Sequence, residues 1–281
     1  MTRCLIIIMI TYFGFPSLYA QDSIYTVSDS VTYEENLDEQ LFRKLNGHRT
    51  SFLDIVVPIS EKHVTIPSLV VPTSLFISSK LNDNYYDENS SALLAVSNGI
   101  NLVFTFGMKQ LVKRKRPPEG MDNIYFDKNF IEYTDRYSFP SGHASTTFNT
   151  AALLTLRYPD NPILISGFYL RALAISFGRI YMGNHYPFDV LTGAVIGTGA
   201  AFLTYSIRKE LIDIKASIFN EEERKEIGSD KVNQYVALGS MIAMDLFNYF
   251  IFGLDSKITK NMRVDLGSTG SSNTLHFSYQ F

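Results

Sequence analysis

The chain has 281 residues, 46% of them hydrophobic, which allows one or two domains with a sizeable apolar core. A formal net charge of −3 gives no sign of a nucleic-acid partner, and the single cysteine, Cys4, excludes an internal disulfide and a zinc site made of cysteine ligands. The mean hydropathy of +0.02 is low for a chain made only of membrane spans, so polar segments must accompany any spans.

The first twenty residues have the pattern of a secretory signal peptide. Arg3 precedes an apolar run at residues 5–15, and the small residues Ser17 and Ala20 follow it. An uncleaved anchor is the alternative, but Pro16 would break a spanning helix, which favours cleavage after Ala20. In either case, the following chain starts on the outer side of a membrane.

Residues 21–52 form a polar segment, in which an amphipathic helix would place Leu41, Phe42 and Leu45 on one side. Six apolar blocks come next, at residues 66–79, 92–112, 144–156, 163–177, 190–206 and 235–252. Some approach the ~20 residues that span hydrocarbon, and Pro, Asn and Asp punctuate the joins. Without alternating strands or an internal repeat, the pattern predicts an all-α fold, a membrane bundle of five to six helices.

We expect the main helical domain at residues 53–207. The remainder, residues 208–281, contains a charged linker, the sixth block and a polar tail. The sixth block is the least convincing because it contains Asp245 and Asn248. In the tail, two short alternating runs flank a Gly/Ser/Asn turn, which predicts a β-hairpin.

Following the chain from side to side places two joins, residues 109–143 and 178–189, on the outer side of the membrane. Both are rich in His, Arg and Lys. Arg208 and Lys209 fit the excess of positive charge expected on the cytoplasmic side. The basic cluster at residues 109–116 lies on the outer side and does not fit this rule. Its positive charges therefore have a function other than setting the membrane topology.

Three short motifs lie in these two outer joins: Lys-x6-Arg-Pro at 109–117, Pro-Ser-Gly-His at 140–143 and Gly-Arg-x5-His-x3-Asp at 178–189. Lys109, Arg116 and Arg179 are the cations of the first and third motifs. Their N–H groups suit phosphate oxygens, and the hydroxyl and backbone N–H groups of a helix start add further donors.

Two histidines flank whatever these cations bind. In phosphoryl transfer, one histidine can attack phosphorus while the other protonates the departing oxygen. Asp189 lies one helical turn beyond His185. Its carboxylate can accept the Nδ1 proton of His185, which would leave Nε2 free to attack.

In this order and spacing, the motifs resemble those of the type 2 phosphatidic acid phosphatase superfamily, which also contains bacterial acid phosphatases and vanadate-dependent haloperoxidases. The family's motifs are Lys-x6-Arg-Pro, Pro-Ser-Gly-His and Ser-Arg-x5-His-x3-Asp. The chain matches them across residues 109–189, except that Gly178 stands where the family usually has Ser. The surrounding apolar blocks match the membrane-bound branch.

The resemblance implies a nucleophile that forms a phosphohistidine, a general acid for the leaving group and a carboxylate that orients the nucleophile; these are His185, His143 and Asp189, respectively. It implies that the phosphate is bound by Lys109, Arg116, Ser141, Gly142 and Arg179. It implies no metal or other cofactor.

We therefore expect a metal-independent phosphatase acting on a lipid monophosphate or diphosphate, such as a polyprenyl diphosphate, lipid A or a phospholipid phosphate. The expected location is the bacterial inner membrane, with the site facing the periplasm. An outer-membrane location is the alternative. A broad-specificity periplasmic acid phosphatase, a vanadate-dependent haloperoxidase and a non-catalytic lipid-phosphate binder are the alternatives.

Other charged and aromatic residues allow more than one interpretation. Residues 113–115 are expected to be a solvated run of charges, with contact to anionic headgroups as the alternative. Arg171, inside an apolar block, could line the site or form an interior ion pair. The aromatic residues of the 118–139 join could anchor to headgroups or cover the phosphate. No role is assigned to His48, His63 or His276.

Overall fold

The computed structural model describes residues 34–61, 65–126, 136–221, 224–248, 262–269 and 272–279; the expected signal peptide lies outside them. The helices are α1 (Leu37–Asn46), α2 (Ser51–Glu61), α3 (Thr65–Leu81), α4 (Tyr85–Val112), α5 (Pro117–Gly120), α6 (Gly142–Arg157), α7 (Pro162–Tyr181), α8 (Pro187–Ser206), α9 (Arg208–Phe219) and α10 (Lys231–Asn248). Two strands follow, β1 (Met262–Thr269) and β2 (Ser272–Tyr279).

The apolar blocks lie in α3, α4, α6, α7, α8 and, as far as residue 248, in α10, so the predicted all-α bundle is confirmed. Among the described residues, three helical segments are long and apolar enough to cross a membrane: Tyr85–Gly120, Pro162–Tyr181 and Pro187–Ser206. Large apolar side chains on these segments are exposed, for example Val103, Leu170 and Val195. Such an outward apolar surface suits contact with lipid.

Helix α6 contacts α3, α4, α7 and α8, and its Leu153 and Leu154 are completely or almost completely buried in the largest core cluster. Helix α8 approaches α6 especially closely. A Cβ added at Gly193 would lie 2.4 Å from the carbonyl oxygen of Ser141, and one at Gly197 would lie 1.9 Å from that of Ser145. Only glycine fits these two positions, and the contact fixes the start of α8 against the start of α6.

Helix α1 begins with a capping box between Asn36 and Glu39 and packs on α7 and α8. Of the three residues expected on its apolar side, Phe42 is fully buried and Leu45 is partly buried, whereas Leu41 is exposed. The apolar side is thus narrower than the sequence suggested. The Phe42 ring lies 5.5 Å from that of Tyr186, just before α8.

Helix α10 contacts α2, α3 and α7. Its Asp245 binds Arg171 of α7 through two contacts, at 2.7 and 2.9 Å. Arg171 therefore forms the interior ion pair, and the same pair explains the carboxylate within the sixth apolar block. The tail residues pair as antiparallel strands, with Met262 opposite Tyr279 and Thr269 opposite Ser272.

Candidate active site

The three motifs meet at one end of the bundle. The segments that converge there are the residues after α4, residues 136–141 before α6, and the 182–186 turn between α7 and α8. The expected site residues with buried side chains are Lys109, Arg116, Ser141, Arg179, His185 and Asp189. Gly142 and His143, in the first turn of α6, are half-buried.

Main-chain carbonyls hold the cations of the first motif. The Nζ of Lys109 donates to the carbonyl of Tyr137 at 2.8 Å. Arg116 donates to the same carbonyl at 3.3 Å and to that of Asn184 at 2.9 Å. The positions of both cations are therefore set by the backbone of the other two motif regions.

The third motif continues directly from α7. The carbonyl of Arg179 accepts from the backbone N–H groups of Asn184 and His185, at 2.9 and 3.1 Å. This fold-back reverses the chain within one turn, at which Gly183 has φ +79°, in the left-handed region that favours glycine. Arg179 and His185 are thereby held close to each other. Gly178, the departure from the family motif, is buried in the last turn of α7.

The orientation of His185 differs from the expected one. Its Nδ1 lies 2.7 Å from the carbonyl oxygen of Ser138, whereas the nearest oxygen of Asp189 is 3.6 Å away. The Asp189 carboxylate instead accepts the backbone N–H of Tyr186 at 2.9 Å, which turns it towards the start of α8. Because a carbonyl only accepts, Nδ1 carries the proton and Nε2 has the lone pair.

The surroundings of His185 keep its ring neutral. Nε2 lies 3.4 Å from Nη1 of Arg116, and the side chain is buried. Burial, together with the guanidinium groups of Arg116 and Arg179, lowers the pKa of His185 well below its usual range. A neutral imidazole with Nε2 directed at the cations has the form that a nucleophile requires.

The start of α6 supplies the second motif. Ser141 is the N-cap, and its hydroxyl accepts the N–H of Ala144 at 3.4 Å. Its own backbone N–H donates to the carbonyl of Asp189 at 2.9 Å, which joins this helix start to α8. His143 follows in the first turn and is within electrostatic reach of the cations that surround His185. Both histidines therefore share one basic site.

Residues 91–213 match the family model described as the PAP2 superfamily. Over this range the chain is similar to the PAP2 superfamily. The three motifs lie inside the matched range, so the resemblance drawn from their spacing is confirmed.

Named relatives and solved structures are also similar to the chain. Lipid A 4'-phosphatase of Bacteroides thetaiotaomicron is 28% identical over 192 residues, which cover 64% of this chain and 81% of that protein. Undecaprenyl-diphosphatase of Sulfolobus acidocaldarius is 35% identical over 71 residues, covering 25% of this chain and only 34% of that protein. The crystal structure of Aquifex aeolicus LpxE is 24% identical, with a TM-score of 0.49, and covers 63% of this chain and 99% of that one.

One residue inside the variable stretch of the first motif has a different environment from the one the sequence suggested. Arg114, expected in a solvated run of charges, forms ion pairs with Asp189 at 2.8 Å and with Asp38 at 2.7 Å. Its neighbours Lys113 and Lys115 are exposed, as expected. No local pattern could have identified this contact, because Asp38 lies in α1, far from the motifs along the chain.

Proposed function

We propose that the protein is a phosphatase that hydrolyses a monophosphate or diphosphate on a membrane lipid through a phosphohistidine. The observation that supports this most strongly is the convergence of Lys109, Arg116 and Arg179 around two histidines at one end of an apolar helical bundle. Three cations are suited to the charge on the equatorial oxygens of a phosphoryl group in transfer.

In the proposed reaction, Nε2 of His185 attacks phosphorus and the bond from phosphorus to the lipid oxygen breaks. Burial and the cations lower the pKa of His143, and the negative charge of a bound phosphate offsets those cations, so that protonated His143 can donate its proton to the departing oxygen. In the second step, neutral His143 takes a proton from water, the water oxygen attacks phosphorus, and the bond to His185 breaks. Inorganic phosphate leaves, and both histidines return to their first state.

The roles of the other residues follow from their contacts. Ser141 and the N–H of Gly142, at the start of α6, add donors to those of the three cations. The carbonyl of Ser138 holds the Nδ1 proton of His185. We assign to Asp189 stabilisation of the positive charge that the ring gains when Nε2 is phosphorylated, since its carboxylate lies 3.6 Å from Nδ1.

Two observations support a lipid substrate at the outer face of the membrane. The site lies at the end of spanning helices whose surfaces are apolar, so an anchored substrate could reach it from the bilayer. Arg208 and Lys209 follow the other end of α8, where the excess of positive charge is typical of the cytoplasmic side. The relatives named above, a lipid A phosphatase and an undecaprenyl-diphosphatase, define the first lipids to test.

The test is phosphate release by detergent-purified protein in the presence of EDTA. The panel contains undecaprenyl diphosphate, lipid A, phosphatidic acid, phosphatidylglycerol phosphate and p-nitrophenyl phosphate. His185→Ala removes the nucleophile, and His48→Ala is the matched control because His48 is exposed between α1 and α2. Release from a lipid that is lost only in the His185 variant supports the proposal.

Three results would contradict it. Full activity of the His185→Ala protein would exclude the phosphohistidine route. Equal release from every compound would indicate a broad-specificity acid phosphatase. Tight binding of a lipid phosphate without any release would indicate a binding protein.

A further inference from the structure

Arg114 joins two buried carboxylates from distant parts of the chain. Its Nη1 lies 2.7 Å from Asp38 and 2.8 Å from Asp189, whose side chains are only 6% and 0% exposed. The guanidinium carbon lies 3.8 Å from the ring centroid of Tyr186. A buried carboxylate requires a cation or hydrogen-bond donors, and the two acids together hold Arg114 in one position.

Asp38 has a second contact at the same place. Its Oδ1 accepts the backbone N–H of Phe188 at 2.9 Å, one of the N–H groups at the start of α8 that no carbonyl of its own helix can satisfy. Phe42, one turn further along α1, packs on Tyr186. Helix α1 is therefore fixed against the segment that carries His185 and Asp189.

We propose that Arg114 and Asp38 are positioning residues for the reaction at His185. Arg114 holds the Asp189 carboxylate beside the Nδ1 side of the ring. Asp38 holds Arg114 and offsets its charge. This inference rests on the proposed phosphohistidine chemistry, because the role assigned to Arg114 and Asp38 is to help stabilise the positive charge that the His185 ring gains on phosphorylation.

The charges explain why two acids are needed. Phosphorylation at Nε2, with Nδ1 still protonated, makes the ring of His185 cationic. Asp189 and Arg114 alone are neutral as a pair and would stabilise that cation little. With Asp38, the group of three carries one net negative charge, and its Asp189 carboxylate lies 3.6 Å from Nδ1. The N-terminal helix therefore supplies part of the electrostatic environment of the reaction.

Asp38→Asn is the decisive variant. The asparagine oxygen can still accept the N–H of Phe188, so the substitution removes the charge and retains the cap. We expect kcat to fall by about tenfold, within the range of coupling between contacting groups. KM should not change, because the contacts of Asp38 do not include a residue proposed to bind phosphate. Glu35→Gln is the matched control, since Glu35 pairs with Arg43 at the surface of the same segment.

Combination with Arg114→Gln tests whether Asp38 acts through Arg114. If Asp38 acts through Arg114, Asp38→Asn should cause little further loss of kcat in the Arg114→Gln protein. Equal losses in both backgrounds would mean that the charge of Asp38 acts independently of Arg114 and would overturn the inference. If the Arg114→Gln protein does not fold, the kcat and KM of Asp38→Asn alone test the positioning role. The melting temperature of Asp38→Asn is then compared with that of Glu35→Gln.

The controls also separate this inference from the proposed function. If His185→Ala retains activity, the phosphohistidine route and this inference fail together. If His185→Ala is inactive while Asp38→Asn keeps its full kcat, only the positioning role is refuted. A lower kcat with unchanged KM and an unchanged melting temperature supports it.

Discussion

Gly197 offers the sharpest test of how the helices position the site. A Cβ at this residue would lie 1.9 Å from the carbonyl oxygen of Ser145, 2.7 Å from its carbonyl carbon and 3.0 Å from the backbone nitrogen of Asn149. Ordinary contact begins at 3.4 Å, so Gly197→Ala forces α8 and α6 about 1.5 Å apart. The opposing atoms belong to backbone and cannot turn aside as a flexible side chain could.

The expected loss of stability lies at the upper end of overpacking effects, about 3 kcal/mol. At about 2–4 °C per kcal/mol for a domain of this size, the melting temperature in detergent should fall by about 6–12 °C. Activity should fall as well, because Asp189 lies two turns earlier on α8 and its carbonyl binds the N–H of Ser141 at 2.9 Å. A displacement of about 1 Å within a site can reduce the rate on the order of 100-fold.

Gly199→Ala is the control on the same helix. A Cβ at Gly199 meets nothing within 4 Å, so alanine should leave the melting temperature unchanged or slightly higher, in line with its greater helix propensity. Thermal unfolding by fluorescence and phosphate release would be measured for both proteins. Similar melting temperatures for the two variants would refute the reasoning, since they would show that α8 and α6 separate at no cost.

Three other substitutions or conditions test separate parts of the structure. Because burial and the guanidinium groups of Arg116 and Arg179 lower the pKa of His185 well below its usual range, we expect its ring to stay neutral as the pH falls from 8 to 6. Phosphoenzyme formation measured by rapid quench should therefore not decline over that range. Asp245→Asn leaves Arg171 without its carboxylate partner and should reduce the free energy of unfolding by about 3–5 kcal/mol, measured as a lower melting temperature. Adding Arg171→Met removes the unpaired charge and should recover most of that loss. Asp189→Asn should lower kcat yet leave trapped phosphohistidine detectable, because the carbonyl of Ser138 still holds the Nδ1 proton. Undetectable phosphoenzyme would show that Asp189, and not the carbonyl of Ser138, holds the Nδ1 proton.

The sequence predicted the bundle and the convergence of the motifs for a clear physical reason. Apolar blocks of helical length must be buried or face lipid, and their number determines which joins share one end. The number of apolar blocks predicted that Lys109, Arg116, Arg179 and His185 would lie on the same side of the membrane. In the structure all four side chains are buried. These residues are recognisable because their chemistry resides in their side chains and their spacing is fixed within short motifs.

The missed contacts are of two other kinds. Arg114 meets Asp38 across a long stretch of chain, and a pair of opposite charges at such a separation has no spacing rule to identify it. Ser138 contributes a main-chain carbonyl, a group that every residue possesses. A sequence therefore shows which side chains could perform the chemistry more readily than which backbone groups hold them.

The carbonyls of Tyr137 and Ser138 illustrate what such backbone groups do. The first accepts from Lys109 and Arg116, and the second accepts from Nδ1 of His185. Two consecutive peptide groups thus orient two proposed phosphate-binding cations and the proposed nucleophile before any substrate arrives. Donors that are already aligned need no reorganisation when negative charge develops, which is the condition under which electrostatic stabilisation of a transition state is largest. A shift of this short segment would misalign all three groups together, so its geometry should influence kcat more strongly than the binding of substrate.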